Sequence, residues 1–352
     1  DPAVRIGEGF ADVPFAELAR YEGRVARLLD LLEGEGHGLD APAEAGAPRP
    51  ARQVDERGRP TCTAVISTWN KAADVCANLD AIRAQTEPFE EVVVVDNAST
   101  DDTVARITRD YPEVRLVVMP NSAYGACETF NVGFASVRTP LMAILDDDVV
   151  LAPEWLAKSR ERMLREPETT AIVSTNVLEP GMPESYLRSP LVTRERYTST
   201  FRGCASLAKV EPLRRAGFYD ERLFLYGNER DLTCRLLNLG FRVLQFPGVD
   251  AHHSTPFGIK LGKRSLYFHA RNAFLTQLKY APLGDLLRLP FLALGKVVLR
   301  SGEREAAGEV ADAVGTIGVG RAVRETPGAW WVLAKAAGSV LWNVPYCLRR
   351  RE

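Results

Sequence analysis

The chain has 352 residues, 46% hydrophobic and 26% charged, and its 44 basic and 46 acidic side chains leave a formal charge of −2. That balance excludes a global electrostatic drive towards nucleic acid or anionic lipid, and no basic stretch interleaved with aromatics supplies a local one. The aliphatic content supports a real core, and the length suits one large domain with appendages or two domains.

Residues 1–59 form the first zone. Phe15, Leu18, Val25, Leu28, Leu29 and Leu32 recur at helical spacing, and the Gly/Pro/Ala-rich stretch "GEGHGLDAPAEAGAPRPARQVDERGRP" that follows reads as a linker or extended arm. Gly34, Gly36 and Gly38 do not follow a strand, so they make no dinucleotide loop. The start "DPAVRIGEGFADVPF" lacks a basic region followed by an apolar core, so no signal peptide is expected. No apolar run reaches the length of a membrane span. Six cysteines without a C-x-x-C pair read as buried free thiols in a reducing cytoplasm.

From residue 60 to 280 strands and helices alternate. "TCTAVIS", "EEVVVVDN", "VRLVVM" and "PLMAILDDD" are strand-like. "AADVCANLDAIRAQT", "STDDTVARITRDY" and "GACETFNVGFASV" are helical. Repeated βα units with continuous aliphatic strands predict an α/β fold, a mostly parallel Rossmann-like sheet with helices on both faces. In such sheets ligands sit beyond the carboxyl ends of the strands. Ser67–Asn70, Asp96–Asn97 and Asp146–Asp148 all fall there.

Three consecutive aspartates after a buried strand repel one another unless a cation compensates them. A hard divalent ion, Mg²⁺ or Mn²⁺, shared with phosphate oxygens suits such a turn. A solvated acidic turn is the plainer alternative.

The ordered motifs "VISTWNKAADVCANLDAIRAQT", "EEVVVVDNASTDDT", "NSAYGACETFNVGFASVRTPLMAILDDDVV", "GFYDERLFLYGNERDLTCRLLNLGFRVL" and "AHHSTPFG…FHARNAF" resemble family 2 glycosyltransferases over roughly Thr61–Lys279. The resemblance implies the GT-A fold and a nucleoside-diphosphate-sugar donor. It implies that Thr68 and Asn70 line the nucleotide, with Asp96 accepting the imide N–H of uracil or thymine and Asn97 beside it. Cytosine has no such N–H, so UDP or dTDP donors are expected. It implies Asp146 and Asp147 towards the donor, and Asp146 and Asp148 towards the metal. It further implies that one of His252 and His253 would complete that metal site, a surface or structural histidine pair being the plainer alternative, and that Arg271 would face a phosphate, with a helix-surface salt bridge as the alternative. Gly203 would admit the acceptor side, and Glu229 would be the general base, Asp231 the lesser candidate.

Two departures stand out. Asn228 replaces the glutamate of the family's acidic helix start, and Phe130 stands where an arginine is common before Asn131 and Gly133. They motivate a rival reading, a catalytically degenerate sugar-nucleotide-binding scaffold. A nucleotidyltransferase is a poorer fit, because "STWNKAADV" lacks a Gly-rich basic loop. One base and no visible nucleophile imply inversion. The hydroxyl acceptor, whether a cell-surface glycan, a lipid-linked sugar or a natural product, is not legible, and the Ala/Arg/Gly-rich composition suggests a bacterial source.

The last zone, 281–352, is expected to be helical. In "WWVLAKAAGSVLWNVPYCLRRRE" Trp330, Leu333, Ala337, Leu341 and Val344 share one face, and Lys335, Ser339 and Asn343 another. That helix either packs on the main domain or lies in a membrane interface, and the location expected is cytoplasmic, with the inner face of the membrane as the alternative.

Overall fold

The computed structural model describes residues 4–5, 51–258, 262–286, 288 and 319–351. The helix expected between residues 15 and 32 and most of the arm lie outside the described residues. In chain order the strands are β1 (Val4–Arg5), β2 (Cys62–Thr68), β3 (Glu91–Asp96), β4 (Arg115–Val118), β5 (Leu141–Asp146), β6 (Val149–Leu151), β7 (Thr170–Leu178), β8 (Arg196–Tyr197), β9 (Ala205–Lys209) and β10 (Arg242–His253). The helices are α1 (Ala72–Arg83), α2 (Thr103–Asp110), α3 (Ala126–Ala135), α4 (Trp155–Leu164), α5 (Glu184–Leu187), α6 (Pro190–Thr193), α7 (Val210–Ala216), α8 (Asn228–Asn238), α9 (Lys263–Tyr280), α10 (Val319–Glu325) and α11 (Ala329–Arg349).

One sheet runs β1-β4-β3-β2-β5-β9-β7-β10-β6, with β8 also on β10. It is parallel from β1 to β5; β9 then runs antiparallel between β5 and β7. Strands such as β2 and β3 are aliphatic on both faces because both faces are covered. Ala64 and Ile66 face Val75, Leu79 and Ile107 in one core, while Val65 faces Phe130, Phe134 and Ile144 in the other. Five cysteines are buried, Cys234 is partly so, and all six are free.

Phe130 lies in this second core, 5.6 Å from the Phe134 ring centroid and 6.0 Å from that of Tyr219. It occupies packing space rather than the crevice. Gly133 has a packing reason too: a Cβ there would stand 2.4 Å from Val65 Cγ1, so only glycine lets α3 approach β2 this closely.

The end of the arm is tied to the domain. Arg160, only 4% exposed at its side chain, pairs with Asp55 at 3.3 Å and with Glu87, which also binds Arg59.

At the other end, α11 lies on α9, with Ala329, Val332, Ala336, Asn343 and Cys347 buried. Arg271 Nε donates to Ser339 Oγ (2.9 Å), and Arg222 Nη1 to Asn343 Oδ1 (3.1 Å). The helix is therefore turned the other way from a simple apolar-side-in reading. Trp330 and Leu341 are 69% and 72% exposed, because Ser339 and Asn343 find hydrogen-bond partners on the domain and the alanines allow close approach.

Candidate active site

Sheet register levels the polar strand ends. Thr68 of β2 pairs with Asp96 of β3, and Ser67 with Asp146 of β5. After Asp148 the chain turns straight into β6, which pairs antiparallel with the end of β10 so that Val149 faces His253. The Ser254 N–H then donates to the Asp148 carbonyl (3.0 Å). This pairing carries His253, 105 residues away in sequence, to the aspartate turn.

Ligand atoms of Asp146, Asp148 and His253 lie within 4.8 Å of one another. His253 Nε2 is 3.0 Å from Asp148 and 3.8 Å from Asp146. Nδ1 lies 3.0 Å from Glu179; because a carboxylate only accepts, both ring nitrogens carry protons here, and a metal ion would take the place of the Nε2 proton while Nδ1–H stays on Glu179. Lys71 Nζ donates to Asp147 (3.0 Å) and Asp148 (2.7 Å), and the Thr255 hydroxyl donates to Asp148 (3.0 Å).

The electrostatics follow from this crowding. Burial pushes the Asp146 carboxyl up, and although His253 opposes that, Asp148 and Asp147 add to it, leaving it at about 7. Burial also works against ionised Asp148, but His253 and Lys71 outweigh it and hold the group below the usual carboxylate range. Burial would lower His253, yet Asp148, Glu179 and Asp146 raise it to about 10. Two carboxylates and an imidazole facing inward fit a divalent ion, with Mn²⁺ better suited to the nitrogen than Mg²⁺. The Asp146 side chain is nevertheless 39% exposed, so solvent screens part of this rise and the cluster opens onto the crevice.

His252 does not join it. Adjacent strand residues point to opposite faces, and His252 is exposed. Asp147 is turned to Lys71. Sequence motifs do not single out Lys71 or Glu179. The first sits directly after Asn70 at the β2 end, which was a usable signal; Glu179 is 74 residues from His253 and carried none.

The β9 end joins the aspartate turn to Glu229. The Asp146 N–H donates to the Cys204 carbonyl (3.2 Å). A Cβ on neighbouring Gly203 would lie 2.4 Å from Glu229 Oε1. Gly203 thus makes room for the Glu229 carboxylate, where substrate had been expected. Glu229 sits in the first turn of α8 behind Gly227 (φ 75°), and burial raises its pKa, opposed in part by its own backbone N–H and by Asn228.

On the other side of the crevice Asp96 is fully buried. Its Oδ1 accepts from the Ser99 N–H (2.8 Å), and its Oδ2 has no hydrogen-bond partner among the described residues. Burial raises its pKa. Thr68 is buried beside it. Asn97 Nδ2 donates to the Tyr124 carbonyl (2.9 Å). Asn70, at φ 52°, accepts from the Thr100 N–H (2.7 Å) and so splints two loops.

Two expected site residues are taken up by structure. Asp231 is fully buried, ion-paired with Lys279 and with Arg235 (3.0 Å) and bonded to the Tyr280 hydroxyl (3.2 Å). It has no route to an acceptor. Asp231→Ala should cost about 3–5 kcal/mol, because Lys279 and Arg235 lose a buried counter-ion; urea melts measure this, and an unchanged midpoint would refute it. Arg271 donates to Ser339 Oγ (2.9 Å) and to the Arg222 carbonyl (2.8 Å). Its neighbour Asn272 donates to the carbonyls of Leu223, Leu225 and Tyr226 (2.9, 2.7 and 2.8 Å), bracing the loop that leads to Glu229.

Residues 63–210 match the glycosyl transferase family 2 model. The chain carries a family 2 glycosyltransferase domain. Relatives include the validoxylamine A glucosyltransferase of Streptomyces hygroscopicus subsp. jinggangensis, 34% identical over 101 residues, which are 28% of this chain and 24% of that protein. The succinoglycan biosynthesis protein ExoO of Rhizobium meliloti is 32% identical over 104 residues, 29% of this chain and 30% of that protein. The matched stretch thus spans under a third of either relative. Among solved structures, the mannosyltransferase PcManGT of Pyrobaculum calidifontis, in complex with GDP-Man and Mn²⁺, has a TM-score of 0.50 at 20% identity, covering 92% of this chain and 82% of that one. TarS 1–349 of S. aureus with UDP has a TM-score of 0.50 at 16% identity, covering 82% and 90%. At these identities the likeness speaks to the fold, and the glycosyltransferase domain has the GT-A architecture.

Proposed function

We propose that the protein is a metal-dependent, inverting glycosyltransferase that moves a sugar from a UDP- or dTDP-sugar to a hydroxyl acceptor, with residues 60–280 as the catalytic unit. The observation that carries this reading is the Asp146–Asp148–His253 cluster at the same sheet edge as the partnerless, buried Asp96 oxygen. Asp96 Oδ2 is covered here, so it takes the imide N–H of the base once the residues over it give way, a contact worth about 1–3 kcal/mol against a base that lacks it. Glu229 accepts the proton of the acceptor hydroxyl while that oxygen attacks the anomeric carbon. The bond from that carbon to the diphosphate breaks on the opposite side, so one displacement inverts the configuration. Asp146, Asp148 and His253 would hold Mn²⁺ or Mg²⁺, which when bound supplies positive charge to the departing diphosphate. Glu179 and Thr255 keep that donor set oriented.

Calorimetric titration with UDP-, dTDP-, GDP- and CMP-sugars, with and without Mn²⁺, tests the donor side. Metal-dependent binding of one uracil or thymine diphosphate sugar is expected. Preference for the CMP-sugar would remove the role given to Asp96, preference for the GDP-sugar would replace the pyrimidine by guanine, whose N1–H a carboxylate also accepts, and silence in every condition would favour the scaffold reading. Retained anomeric configuration in the product, read from NMR coupling, would overturn inversion.

A further inference from the structure

The side of α11 that faces the protein carries Ala329, Val332, Ala336, Asn343 and Cys347, and its aromatic side faces out. Trp330, Trp331, Leu341 and Trp342 are 69%, 67%, 72% and 85% exposed, and Leu348 is 50% exposed. With Ala337 they fill an arc of roughly 140° at 3.6 residues per turn. A helix on a globular surface normally turns polar residues outward, so an apolar outward arc needs something to cover it.

We infer that this face of α11 docks on the surface of an anionic lipid bilayer. Three of the chain's five tryptophans lie between positions 330 and 342, and tryptophan is the side chain that settles at the level of lipid headgroups. The helix holds no acidic residue, while Lys335, Arg349 and Arg350 are exposed along the arc's edge and end; the Lys335 ammonium lies 5.5 Å from the Trp331 ring centroid. That charge complements anionic headgroups. A second copy packed through the same face would set two acid-free basic surfaces against each other, which is unfavourable. Among the described residues no helix is long and apolar enough to cross a membrane, so α11 lies along the surface. Arg271 ties α11 to the Arg222 carbonyl, and Asn272 braces the following loop, so docking would also orient the crevice relative to the bilayer. The lipid contact itself does not depend on the transferase reading.

Sedimentation of the full chain with phosphatidylcholine vesicles, with and without phosphatidylglycerol, tests it, alongside tryptophan emission. Binding to the anionic vesicles, a blue shift, and weakening by salt are expected. The combined Trp330→Ser, Trp331→Ser and Trp342→Ser variant should keep its melting temperature, since these side chains are exposed, and lose at least about tenfold in vesicle affinity. Arg349→Glu with Arg350→Glu should weaken binding and flatten its salt dependence. Failure of the intact chain to bind either vesicle overturns the proposal, as does unchanged binding by the triple variant. A dimeric intact chain that ignores vesicles, with a monomeric triple variant, would assign the face to contact between copies instead.

Discussion

Asp148→Ala should lower kcat/KM on the order of 10³-fold and abolish the response to Mn²⁺, since charge neutralisation at a leaving diphosphate supplies several kcal/mol. The substitution does more than delete a ligand. Asp148 is the carboxylate shared by Lys71 at 2.7 Å and His253 at 3.0 Å, with only 7% of its side chain exposed. Removing it takes one counter-ion from Lys71, which keeps Asp147, and one from His253, which keeps Glu179, so some loss of melting temperature is expected as well. Asp148→Asn keeps the volume and a hydrogen-bonding oxygen and separates the two effects. It should recover stability without recovering the Mn²⁺ response. Turnover and metal dependence preserved in both variants would refute the metal role.

Glu229→Gln should cut kcat by about 10²–10⁴, the usual contribution of a positioned base, with little change in KM. Glutamine fits the space that Gly203 leaves for the carboxylate, so the fold should be unaffected. The pH dependence has a definite sign. Burial raises the Glu229 pKa; the base works as the carboxylate, so rate falls as pH drops through that raised value. In Glu229→Gln this acid limb should vanish. A second acid limb is expected from Asp146, which burial and its aspartate neighbours raise to about 7. The two are separable: metal competes with protons for Asp146, so added Mn²⁺ moves its limb to lower pH and leaves the Glu229 limb in place. A Glu229→Gln enzyme that keeps most of its kcat, or keeps a metal-insensitive acid limb, would assign the base elsewhere.

The aliphatic runs of β2, β3 and β5 and the helices between them could be read directly, because buried parallel strands and amphipathic helices follow from residues next to one another in the chain. For the same reason the strand-end positions of Thr68, Asp96 and Asp146–Asp148 were legible. The choice between His252 and His253 was not. It rests on the pairing of β10 with β6, and register moves each side chain to one face or the other. Asp231, the lesser candidate for the base, and Arg271, expected to face a phosphate, both lie in motifs of the family. Lys279, Ser339 and the Arg222 carbonyl, brought in from distant segments, claim them for the fold. The orientation of α11 was decided in the same way. Helical periodicity defined its two faces, but which face turned inward depended on Arg271 and Arg222 offering Ser339 and Asn343 partners that solvent-facing tryptophans did not need. Local pattern thus determined the elements and the sheet edge where chemistry would sit. Long-range pairing decided which charged groups face that edge, because a buried charge goes where its counter-charge is.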